Sequence, residues 1–160
     1  MEAFLNIIKR ITQVLHAIAG TSLTFVILLT LLDIVLRGVG RPVAGTYELV
    51  TLAGAVVVGF SLPSTSWYRQ QVFIDFFVEK LGTRVKHVFD FVTRLMGIAF
   101  FFVLGWNLFV YGAGLMRSGE VTLTLQIPFY PIAYGVGACC FVQCLVLICD
   151  LIKIAGGRYE

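Results

Sequence analysis

Charge is what this 160-residue chain has least of. Asp, Glu, Lys and Arg make up 13% of it, and they are missing altogether from Ile11–Leu32, Leu49–Tyr68, Leu95–Met116 and Phe129–Cys149. Each of these runs is 20 to 22 residues long. At about 1.5 Å per residue, each reaches across a bilayer core of roughly 30 Å. No polar stretch is long enough to enclose a core of its own, which excludes a soluble domain. No basic patch is interleaved with aromatics, so nucleic acid is not expected as a partner. Cysteine is missing from every loop: Cys139, Cys140, Cys144 and Cys149 all sit in the last apolar run. That excludes a disulfide framework spread through loops and, without histidine or carboxylate companions, a zinc site; the four read as small packing residues.

Two further scarcities bear on chemistry. His16 and His87 are the only histidines, and neither falls at membrane depth, which argues against a haem held between helices. The central parts of the four runs hold no ionisable residue of the kind a self-sufficient transporter places near the midplane. Asp33 and Glu48 lie near one set of ends and Asp90 near the other, each beside a cation or a helix start. With no catalytic constellation and no metal-ligand set, the chain is not read as an enzyme and no cofactor is expected.

What is present is apolar: 59% of residues are hydrophobic and the mean hydropathy is +0.93. The reading is an all-α integral membrane protein with four transmembrane helices in a single membrane domain over residues 1–160, with spans at about 11–36, 46–68, 86–116 and 128–150. The first run is too long for the apolar region of a signal peptide and no A-x-A site follows, so it is a retained span. Asp33 and Arg37 close it as an i,i+4 pair. GVGRPVAG, residues 38–45, is a turn; Thr46 is placed to cap the second helix, with Glu48 in its first turn. Ala55 and Gly59, four apart, give that helix a face that allows close packing, and Pro63 should kink it or end its regular part. Trp67 and Tyr68 fit an interfacial belt. VFIDFFV, residues 72–78, is too short to cross and too apolar for free solution, so it reads as an interfacial segment. Asp90 and Arg94 form a second i,i+4 pair at the start of the third span, and Pro128 and Pro131 open the fourth.

Basic residues fix the orientation. Lys9, Arg10, Arg69, Lys80, Arg84, Lys86, Arg94, Lys153 and Arg158 fall on one side, against Arg37, Arg41 and Arg117 on the other. Nine against three places both termini and the middle loop in the cytoplasm.

DIVLRGVGRPVAGTYELV after the first span, YRQQVFIDFFVEKL in the middle loop and SGEVTLTLQIPFYPIAYGVG leading into the fourth span together resemble the small membrane subunit, called Q, of tripartite ATP-independent periplasmic (TRAP) transporters. The resemblance covers nearly the whole chain. The family's acid at the start of the second span matches Glu48, and its middle-loop aspartate matches Asp75. Its Ser, Leu and Ile-Pro before the fourth span match Ser118, Leu125, Ile127 and Pro128. The resemblance implies a component of a sodium-driven importer of organic acids in the bacterial inner membrane. Its partners would be a large membrane subunit (M) that carries the substrate and sodium sites, a soluble periplasmic binding protein (P), and membrane lipids. The small subunit resembles a scaffold that also helps dock the binding protein. Arg37, Arg41, Glu48, Ser118 and Glu120, all near the outer surface, are the candidate docking residues. Ala55 and Gly59 are the candidate packing face for the large subunit. A small four-helix homodimeric transporter and the membrane anchor of a redox enzyme stay open as alternatives.

Overall fold

The computed structural model describes residues 2–67 and 83–155, with side chains over 6–67 and 91–152. The segment 72–78 and Asp75 lie outside the described residues, and the side chains of His87 and Asp90 outside the described side chains. Four helices carry the fold: α1 (Glu2–Gly38), α2 (Thr46–Trp67), α3 (Thr83–Ser118) and α4 (Tyr130–Ala155). Each contains a stretch long and apolar enough to cross a membrane: Asn6–Gly38, Thr46–Trp67, Phe91–Ser118 and Tyr130–Ile152.

The helix ends follow from local chemistry. α1 stops in a Schellman motif: Gly40 takes the left-handed conformation (φ 76°), Arg41 N–H donates to the Leu36 carbonyl and Gly40 N–H to that of Arg37. Asp33 bonds Arg37 at 2.8 Å, as the spacing predicts, and also accepts the N–H of Val43 at 3.0 Å. The turn therefore folds back beside the last turns of α1. The cap of α2 differs from expectation. Gly45 (φ 80°) supplies the carbonyl that accepts Leu49 N–H, while the Thr46 hydroxyl donates back to the Val43 carbonyl. A left-handed residue is needed there, and threonine is a poor one. Pro63 does not end α2, which runs on to Trp67. Its missing N–H would have met the Gly59 carbonyl. α4 starts at Tyr130, after Pro128 and with Pro131 in its first turn.

Packing runs in the order α1, α2, α4, α3, and α2 and α3 hardly touch. The result is an open curved layer of two hairpins, α1–α2 and α3–α4, joined along a seam between α2 and α4. Gly59 permits that seam, since a Cβ there would lie 2.8 Å from both methyls of Val136. On the other flank of α4, Gly105 lets α3 come close; a Cβ there would lie 3.3 Å from Cys140 Cβ. All four cysteines are buried and none is in a disulfide.

Candidate functional site

Among the described residues, a set of polar contacts gathers at the end where α1 meets α2 and α3 meets α4. Residues 119–128 form a compact hairpin there. Gly119 (φ 66°) closes α3, Val121 bridges Pro128, and Thr122 organises the interior. Its N–H donates to the Ile127 carbonyl at 3.0 Å, its carbonyl accepts Gln126 N–H at 3.1 Å, and its hydroxyl accepts Ile127 N–H at 3.0 Å.

Glu48 reaches this hairpin from the first turn of α2. One carboxylate oxygen accepts Thr124 N–H at 2.6 Å and the other accepts Leu125 N–H at 2.9 Å. Two charge-assisted bonds to adjacent amides fix both register and orientation. The Leu125 side chain then seats on Gly45, where an added Cβ would come within 2.6 Å of Leu125 Cγ. Glu48 and Leu125 thus clasp the two hairpins of the fold together at this end. At the opposite end the Gln143 amide donates to the Ser66 hydroxyl, joining α4 to α2. Ile8, Val146 and Cys149 form a small apolar core there, with Trp67 packed against it.

The other candidates fall around the clasp. Arg37 is paired with Asp33, its side chain 70% exposed. Arg41 is exposed. Ser118 and Glu120 are exposed and bond each other at 3.2 Å. The folded-back turn and the clasp bring the two loops to one end of the molecule. Ala55 is exposed and Gly59 buried, and both line an apolar groove of about 660 Å³ between α2 and α3, floored by α4.

Two connections were not read from the sequence. Arg94 Nη2 lies 3.7 Å from Asp150 Oδ2, an ion pair between α3 and α4 with side chains 13% and 8% exposed. The partners of Glu48, Thr124 and Leu125, are backbone amides some 76 residues away in sequence, which no local pattern marks. The available signal was an acid in the first turn of a helix for which Thr46 was already the expected cap.

Among the described residues no group of three or more His, Cys, Asp or Glu residues could hold a metal ion. Four apolar helices of spanning length define a multi-pass membrane protein, and its polar contacts tie one element to the next: Glu48 to the 119–128 hairpin, Gln143 to Ser66 and Arg94 to Asp150. The model of the family described as tripartite ATP-independent periplasmic transporters, DctQ component, matches residues 26–156, and the chain belongs to that family. It is therefore a TRAP transporter component with membrane-spanning helices, from a family of transporter components and not of enzymes. No curated protein matches it.

Proposed function

We propose that this chain is the small scaffold subunit of a sodium-coupled TRAP importer of organic acids in the bacterial inner membrane. Residues 1–160 act as one membrane domain with both termini in the cytoplasm. The chain braces the large membrane subunit and helps dock the periplasmic binding protein. The family match over 26–156 carries this reading. The open layer supports the bracing role, because it leaves an apolar groove, lined in part by Ala55 and Gly59, for another helix to pack against. In lipid such packing depends on close approach more than on apolar area.

Docking falls to the exposed charges, Arg41 and Glu120, with Arg37 and Ser118 beside them. Glu48 contributes through the hairpin it holds in place. Exposed charges contribute about 0–1 kcal/mol each and act chiefly on encounter rate. The test is uptake in proteoliposomes holding both membrane subunits. Reversing Arg41 and Glu120 together (R41E, E120K) should raise the binding-protein concentration needed for half-maximal uptake and leave subunit assembly intact. A wild-type concentration with wild-type salt dependence removes these charges from docking.

A further inference from the structure

Leu123, at the tip of the 119–128 hairpin, is 98% exposed. Exposure alone decides nothing, since single exposed leucines are common on water-facing surfaces. The contacts of the hairpin put it at a different level. Val43 N–H bonds Asp33, so the start of α2 lies beside Asp33 and not beside the end of α1. Glu48, two residues into α2, holds the amides next to Leu123. Leu123 therefore sits at about the depth of Asp33. That is five residues, or roughly 7 Å, short of the end of α1. At that depth α1 presents Leu31, Leu32, Ile34 and Val35, each 52–65% exposed. Four large aliphatic residues turned outward at one level of a membrane-spanning chain place that level in the apolar zone. The hairpin tip shares that level.

The backbone of the hairpin is built for the same surroundings. Polar groups cannot be left open where water is scarce. The N–H groups of Thr122, Thr124, Leu125, Gln126 and Ile127 are taken, by the hairpin itself or by Glu48, and that of Leu123 is left for the hydrated headgroup layer. Thr124 and Gln126 remain exposed, which places the tip at the boundary of headgroups and acyl chains and not deeper. Tyr47, 85% exposed beside Glu48, has the amphipathic ring that favours that boundary.

We propose that the 119–128 hairpin is a lipid-contacting element, with Leu123 inserted into the leaflet at this end of the bundle and the Glu48 clasp setting its depth. The exposed charges, Arg41 among them, are then presented at a fixed height above the lipid. The occupant is the lipid surface, and coverage by a protein partner is an outcome of the test.

The four native cysteines are buried, so a nitroxide can be directed to Leu123→Cys. The labelled chain, assembled with its large membrane partner in proteoliposomes, is measured by power saturation against oxygen and a water-soluble nickel chelate. Arg41→Cys provides the aqueous reference. Contact with lipid predicts oxygen accessibility at position 123 severalfold above that of the nickel chelate, with the ratio reversed at position 41. Nickel-dominated accessibility at 123 means an open aqueous tip and overturns the proposal. Weak response to both reagents means that protein covers the tip, and overturns it equally.

Discussion

Replacing Gly45 by alanine tests whether the hairpin is truly seated on α2. Two separable costs arise. The first is conformational: at φ 80° an L-residue with a Cβ is strained by about 1–2 kcal/mol. The second is steric, since the new methyl would lie 2.6 Å from Leu125 Cγ and 2.7 Å from its Cδ1. Leu125 cannot swing clear cheaply, because its own N–H is held by Glu48. Overpacking of this kind costs about 1–3 kcal/mol more. Gly40→Ala isolates the first cost: its φ is 76°, and nothing lies within 4 Å of the added methyl. The expected losses are therefore about 1–2 kcal/mol for Gly40→Ala and about 2–5 for Gly45→Ala. The gap corresponds to roughly 5- to 150-fold in the unfolding equilibrium. Reversible unfolding in mixed micelles, followed by the fluorescence of Trp67 and Trp106, measures both. Adding Leu125→Ala to Gly45→Ala should recover the steric part, so that the double variant is less damaged than the sum of the singles. Equal losses at Gly40 and Gly45, or strict additivity in the double variant, would refute the seating of Leu125 on Gly45 and leave Glu48 alone to join the hairpins at this end.

Three further outcomes are expected. Accessibility labelling in oriented membranes should find a cysteine at Gln70 reachable from the cytoplasm and one at Glu120 from the other side; the reverse pattern defeats the orientation taken from the basic residues. Gly59→Leu should lower the stability of the chain itself, by about 1–3 kcal/mol, because Val136 occupies that space. Ala55→Leu, on the exposed lining of the groove, should leave stability unchanged and reduce co-purification with the large subunit. Asp150→Asn removes the carboxylate that faces Arg94 from α4 and should cost about 3–5 kcal/mol, whereas the joint change Arg94→Met with Asp150→Leu should cost less, both read from detergent unfolding midpoints.

The four helices were legible because charge and its absence alternate on the length scale of a bilayer. Asp33 and Arg37 were legible as a pair because helix geometry puts residues four apart together. Arg94 adds a contact that the rule cannot reach. Beside Asp90 on its own helix, whose side chain lies outside those described, it has Asp150 on α4 within 3.7 Å, a partner that only tertiary packing supplies. Thr46 illustrates a different limit. A threonine before an acid is a sound cap signal, yet the left-handed φ demanded at Gly45 moved the cap one residue back. Of the candidate site, the membership of Arg41, Ser118 and Glu120 at one end follows from counting spans. What joins that end, the two bonds from Glu48 to backbone amides, carries no side-chain signature at its far end.

The two-hairpin construction also has a history in time. Translation delivers α1 and α2 first and α3 and α4 later, and each pair can enter the membrane as a helical hairpin. Until they mate, the Gln143 amide has no Ser66, and the Glu48 carboxylate has no Thr124 and Leu125 amides. An unmated chain therefore leaves an amide of α4 and a carboxylate of α2 without the partners they hold in the fold. Mating supplies the partners of both, one at each end of the contact between the two hairpins.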